Sequence, residues 1–418
     1  MGPEWVAILA LVALFVVGTV LPINMGALAY VAAWLVGMYS LHLSEKEILA
    51  GISGDLVLTL IGVTFLFAIA KNNGTVDLIV AGAVRGVGGR VALIPWVMFA
   101  VTAVLTAIGA ASPAACAIIG PIALGFAARY KINPLMMGMF VVHGAQGGGF
   151  SPISIYGTIT NSVMADNGLP NSELTVFFSS LAVNLVMATI LFVVLGGRKL
   201  LAQRADQIEL PAPTGTEPQG ARRDQILTLI AFVGVAVVAL AFDKNIGFVA
   251  ITAAVILAIL SPIKNKDAAK QVAWPTVLLV AGVSTYAAIL TEAGSPQFVG
   301  KWAAGLGAAV IGALVLCYVG GVVSAFASST ALLPVIIPIA LPLIAHGHLN
   351  AGLFVAALAV ASTIVDVSPF STNGALMLAN RPDTITEPVY YKQILTYSVI
   401  VVVVGPLLVW AALVAPGW

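Results

Sequence analysis

Ser151-Pro152-Ile153-Ser154-Ile155-Tyr156-Gly157 and Ser368-Pro369-Phe370-Ser371-Thr372-Asn373-Gly374 are one motif written twice, 217 residues apart. The same offset carries Pro121-Ile122-Ala123-Leu124 onto Pro338-Ile339-Ala340-Leu341, Ser112 onto Ser329, and Asn133 onto Asn350. A single offset through separate segments marks an internal duplication. The copies are read as 1–199 and 225–418, joined by a linker at 200–224 that carries Pro211, Pro213 and Pro218 among charged residues.

The composition places both copies in a membrane. Of 418 residues, 60% are hydrophobic and 8% charged, against about 25% charged in a soluble domain. A net charge of +1 offers nothing to a nucleic acid. Cys116 and Cys317 sit inside apolar segments and read as packing residues, not as a disulfide. The start, Met1-Gly2-Pro3-Glu4-Trp5, lacks the basic region of a cleaved signal peptide and the myristoylation pattern.

A membrane helix needs about 20 mostly apolar residues. The first copy offers spans at 5–20, 23–40, 55–71, 134–165 and 171–197. The second offers 225–242, 245–261, 274–291, 350–379 and 392–415. Between 91 and 129, and again between 308 and 345, lies an apolar stretch too long for one span and broken at its middle. Each reads as two full spans or as a re-entrant hairpin; the short arms and polar tips favour re-entry. The charged segments 43–52 and 75–90 read as interfacial helices.

Five spans per copy is an odd number, so the second copy inserts upside down. Lys and Arg agree: of 18, all but Lys46, Lys244 and Lys301 then fall on one side, which the positive-inside rule makes cytoplasmic. Both termini lie outside, and the hairpins enter from opposite faces. The fold expected is an all-α integral membrane protein of two inverted five-span repeats, each with a re-entrant hairpin and a broken helix (134–165 and 350–379).

Hydrocarbon cannot satisfy free backbone groups, so irregular chain inside a membrane lines a site or a cavity. Four breaks occur at matched places: tips at Ala111-Ser112-Pro113 and Ser328-Ser329-Thr330, and mid-span breaks from Gly147 to Thr160 and from Asp366 to Gly374. A single Ser-Pro is as readily a simple kink; four matched breaks argue for sites. Half-helix N-termini offer N–H donors to an anion, while freed carbonyls and hydroxyls suit a hard cation. No Lys or Arg falls inside a span, which points to a small anion held by hydroxyls, amides and dipoles.

Asp366 is the only carboxylate well inside an apolar segment; Gly149 stands opposite it in copy one. It reads either as a proton- or cation-binding group or as the cap of a broken half-helix. Asp55, at a span mouth, reads as an N-cap. His143 reads as a hydrogen-bonded packing residue, His346 and His348 as loop residues, and Glu45, Lys46 and Glu47 as a solvated helix face.

At the tips the sequence resembles the divalent anion:sodium symporters, the INDY-like branch of the ion transporter superfamily. Their signature is Ser-Asn-Thr ten residues before Pro-Ile. Ser328-Ser329-Thr330 precedes Pro338 with Ser for Asn; Ala111-Ser112-Pro113 precedes Pro121 and keeps only its central polar residue. Size and the stretch 147–152, Gly-Gly-Gly-Phe-Ser-Pro, are most similar to MatC-type dicarboxylate carriers. The resemblance implies an elevator-type secondary transporter for small dicarboxylates such as malonate, malate or succinate. It implies coupling to Na+ or H+, and a homodimer in a bacterial inner membrane, in contact with lipid. It assigns substrate contacts to Ser112, Pro113, Ser154, Gly157, Thr158, Ser329, Thr330, Ser371, Thr372 and Asn373. It assigns Na+ contacts to Ala111, Ser112, Ser151, Ser328, Ser329, Asp366 and Ser368.

Three other readings compete. One is a superfamily transporter for another anion (citrate, gluconate or an oxyanion). Another is an intramembrane hydrolase using Ser151 or Ser154 with His143. It is disfavoured by Pro152 and by the apolar residue, Val360, that stands opposite His143 in copy two. The last is a channel, since broken helices serve there too.

Overall fold

The computed structural model describes residues 2–204, 222–242, 244–304, 309–326, 329–347 and 349–417. The first copy forms α1 (Pro3–Val20), α2 (Met25–Ser40), α3 (Glu45–Ala50), α4 (Gly54–Asn72), α5 (Thr75–Arg85), α6 (Ile94–Ala107), α7 (Ser112–Arg129), α8 (Pro134–Gly148), α9 (Ile155–Asp166), α10 (Glu173–Val194) and the short α11 (Gly197–Leu200). The second forms α12 (Arg222–Phe242), α13 (Ile246–Leu260), α14 (Pro262–Asn265), α15 (Trp274–Glu292), α16 (Ser295–Ala304), α17 (Ala309–Phe326), α18 (Ser329–Gly347), α19 (Ala351–Thr363), α20 (Thr372–Ala379) and α21 (Glu387–Leu413). Among the described residues there is no β-strand.

The helices fall into register across the duplication, and so do their local signals. Asn133 caps α8 and Asn350 caps α19, each side-chain oxygen accepting the amide three residues on. Asn245 caps α13 in the same manner, and Asn24 caps α2 by accepting the amide two residues on. Both cysteines are free and buried.

Packing is exchanged between copies: α4 lies on α13, and its counterpart α15 lies on α2. Both contacts depend on glycine. A Cβ on Gly26 would run into the Leu278 carbonyl, and one on Gly282 into Gly26. A Cβ on Gly62 would meet the Gly247 carbonyl, and one on Gly247 the backbone of Leu58 and Thr59. Between helices in lipid there is no hydrophobic drive, so small residues that let backbones approach supply the packing energy. Exchanged contacts of this kind follow from a two-fold relation between inverted copies. The protein is an all-α membrane protein, and α4, α7, α10, α15 and α21 are each long and apolar enough to cross a bilayer.

Two packing groups result. The hairpins α6–α7 and α17–α18 pack with the broken spans α8–α9 and α19–α20 and with α10 and α21 around two large apolar clusters. The helices α1, α2, α3, α4, α12, α13 and α15 build most of two smaller ones, which also take in Ala331 and Val335 of α18 and Ile153 of the first break. In turn, α4 and α15 reach the second large cluster through Leu56, Leu60, Val277 and Val280.

Three details depart from the sequence reading. The second hairpin arms are not short: α7 has 18 residues and α18 has 19, about 27 Å at 1.5 Å per residue. What sets re-entry is where the tips sit, beside the mid-span breaks. Asp55 is no cap: Ser53 precedes α4, and the Asp55 carboxylate accepts from Asn245 of α13 and Ser162 of α9. The last span begins at Glu387, earlier than 392. Of the linker 200–224, residues 205–221 lie outside the described residues, as do Ser328 and His348.

Candidate functional site

Each broken span is interrupted by the same small loop. In copy one the Ser154 hydroxyl donates to the Ser151 and Gly149 carbonyls and accepts from the Gly157 amide. In copy two the Ser371 hydroxyl donates to the Ser368 and Asp366 carbonyls and accepts from the Gly374 amide. Ser154 and Ser371 thereby cap α9 and α20. Gly157 and Gly374 are required because a Cβ on either would strike the Ser151 or Ser368 carbonyl. Each loop is tied to a hairpin: Ser151 Oγ donates to Ala107 O (2.6 Å), and Ser368 Oγ to Ala325 O (3.4 Å).

Between these loops and the two tips lies a cavity of about 530 Å³. Copy one contributes the tip around Ser112, with Ala111 and Pro113, and Gly149 and Tyr156 from the break. Copy two contributes Ser329, Thr330, Asp366, Phe370, Ser371, Thr372 and Asn373. Gly18, Met25, Thr276 and Leu279 close it from the other packing group. No Lys, Arg or His is among the described lining residues. Of the sequence candidates, Ser151, Ser154, Gly157, Thr158 and Ser368 are not in the wall. They build the loops: Thr158 donates weakly to the Pro152 carbonyl (3.5 Å), and the Ser368 hydroxyl accepts the Phe370 and Ser371 amides.

The cavity has two unlike poles. At one, Asn373 Nδ2 donates to Ser112 Oγ (2.9 Å), joining the copy-one tip to the copy-two half-helix. At the other, Ser329 Oγ lies 2.6 Å from Asp366 Oδ2, 2.7 Å from Ser324 Oγ and 3.2 Å from the Ser362 carbonyl. With one proton to give, Ser329 donates to the carboxylate and accepts from Ser324. Tyr156 reaches across from α9 and sets its phenol beside Ser329, Thr330 and Asp366. Asp366 does not cap a half-helix, because Ser371 does.

Sequence reasoning passed over Ser324 and Ser362, both fully buried. The signal was in the repeat: their counterparts are Ala107 and Ala145, so a polar residue faces an apolar one at each place. Ser362 Oγ has no hydrogen-bond partner among the described residues; a Cβ on Gly320 of α17 would touch it.

The hydrolase reading fails on geometry. Both ring nitrogens of His143 are occupied, Nδ1 by Asn184 Oδ1 (2.8 Å) and Nε2 by the Tyr397 hydroxyl (2.6 Å). Ser151 and Ser154 are spent on backbone carbonyls. Nucleophile and base never meet. Among the described residues no three His, Cys, Asp or Glu gather to hold a metal.

Two inverted repeats, with hairpin tips meeting broken helices around a cavity, define a secondary transporter. Comparisons with known proteins agree. Residues 1–149 match the family model of the dicarboxylate carrier protein MatC N-terminus, and residues 244–416 match that of the citrate transporters. The fold is shared with the YdaH transporter of Alcanivorax borkumensis, whose crystal structure is described as revealing an unusual topology. The TM-score is 0.64 at 14% identity, covering 91% of this chain and 89% of that one. No curated protein matches the sequence. Both family models are of transport proteins, and together they span most of the chain.

Proposed function

We propose that this transporter moves small dicarboxylates of the C4 or malonate type, coupled to Na+ or H+. The observation that carries the reading is the two-poled cavity. A bifunctional anion fits between tips that approach from opposite copies, and hydroxyls, amides and the α20 N-terminus supply donors where no cationic side chain does.

Coupling rests on the Asp366 pole. A carboxylate beside an anion site repels its substrate unless it is neutralised. Ser329 and Asp366, with Ser324 and the Ser362 carbonyl, offer hard oxygen donors of the kind an alkali cation takes. The unpartnered Ser362 hydroxyl is one more acceptor close by. A Na+ held there would supply positive charge next to the anion. In copy one the corresponding set is Ala107, Ser112, Ala145 and Gly149, which leaves Ala111, Ser112 and Ser151 as the poorer pole. Thr330, Ser371, Thr372, Asn373, Ser112 and Pro113 would meet the substrate; Ser154, Gly157, Thr158 and Ser368 would act through the loops. Ser328 completes the second tip in sequence.

The hairpins and broken spans, packed with α10 and α21, form the moving body of an elevator-type mechanism, against a scaffold of the remaining helices. The homodimer, the bacterial inner membrane and the external termini follow from the resemblance and the charge bias. Uptake of labelled succinate and malonate into proteoliposomes, with and without a Na+ or H+ gradient, tests the whole. Accumulation under one gradient is expected; no uptake of any dicarboxylate under either would end the proposal. The match to citrate transporters over residues 244–416 favours a second reading, a tricarboxylate substrate, and labelled citrate in the same assay decides it.

A further inference from the structure

Asn373 holds a contradiction that a substrate would resolve. The side chain is 2% exposed and stands in the cavity wall. Its Nδ2 is used on Ser112, which fixes the amide's orientation and leaves Oδ1 turned elsewhere. That oxygen has no donor among the described residues. A buried acceptor without a donor is costly to leave unmade. Ser112 is the complement. Its oxygen accepts from Asn373, and its own O–H donates to no described group. The pair therefore carries one spare donor and one buried spare acceptor at one pole. The opposite pole differs: there the hydroxyl of Ser329 is committed to Asp366, and Tyr156 stands where Asn373 does in copy one.

Resting on the carboxylate-transporter reading, we propose that Ser112 and Asn373 together read a 2-hydroxy acid. The Ser112 O–H donates to the substrate carboxylate, and Asn373 Oδ1 accepts from the hydroxyl on the adjacent carbon. A carboxylate alone satisfies only Ser112, because it has no proton to give Asn373. The deoxy analogue of a substrate leaves the buried oxygen unpaired, the circumstance under which polar sites discriminate best.

The test is equilibrium binding to the purified full chain, in Na+ buffer, of matched pairs: malate against succinate, citrate against tricarballylate, lactate against propionate. In every pair that binds, the hydroxy acid is expected to bind at least about tenfold tighter, the order expected for one buried hydrogen bond. Asn373→Ala brings the ratio to within about twofold, whereas Ser112→Ala weakens both members alike and preserves a preference. Each ratio is taken within one preparation, so a smaller folded fraction does not move it. Binding without preference in the wild type, or a preference that survives Asn373→Ala, overturns the inference and leaves the transporter reading intact. Failure of every carboxylate to bind overturns both.

Discussion

Set side by side, the two poles of the cavity share a backbone and divide the chemistry. Both loops use a serine cap, a serine tied to a hairpin and a glycine under a carbonyl. Yet Ala107, Ala145 and Gly149 in copy one face Ser324, Ser362 and Asp366 in copy two. The lesson is that the scaffold of a site and its donors are separable. Symmetry positions the loops, and substitutions off the symmetry decide what each loop holds.

The sharpest break would come at Asp366. Asp366→Asn is expected to abolish gradient-driven accumulation, with at least about a hundredfold loss, since it removes the one charge at the coupling pole. It should also erase any Na+-dependent rise in melting temperature. Normal accumulation by the variant would show that the poles are not divided in this manner. Next come the matched glycines. Gly157→Ala and Gly374→Ala each push a Cβ into a loop carbonyl and should cost about 2–4 kcal/mol of stability, by thermal or denaturant unfolding. The costs should be alike, because the loops are; a gap of more than about 2 kcal/mol would say that the backbone symmetry is superficial.

Ser329→Ala is expected to lower Na+ affinity about tenfold, whereas Ser112→Ala leaves it within about twofold, measured by cation titration of uptake. Equal effects would put a cation at both poles. His143→Ala serves as a structural contrast. It strips two buried partners, Asn184 and Tyr397, and should cost about 2–4 kcal/mol of stability with the coupling ratio unchanged. The smallest effect belongs to Ser40→Ala, half-buried at the end of α2, where uptake should match the wild type.

Much of this was legible beforehand. Asn133 and Asn350, placed at one offset, announced two caps, and both form. Ser-Pro-x-Ser with Gly announced two loops, because proline and glycine act through local backbone geometry. Other features were hidden. Ser154 and Ser368 looked like ligand contacts, but their hydroxyls face inward onto the loop, a matter of rotamer and neighbouring carbonyls. Asp55 looked like a cap and instead links α4 to α9 and α13, across 107 and 190 residues of chain. Arm length misled as well, since a helix can be long and still end at the middle of the protein.

By itself, the sequence determined that the chain is apolar, duplicated and broken at four matched places. Those properties are local or periodic, so the order of residues carries them. Only the tertiary structure decided which tip meets which break. Ser112 belongs with Asn373 of the other copy, and Tyr156 with Ser329 and Asp366. That exchange depends on α2 against α15 and α4 against α13, contacts made by glycines far apart in the chain. Pairing over such distances is set by packing and inversion, which no single segment contains.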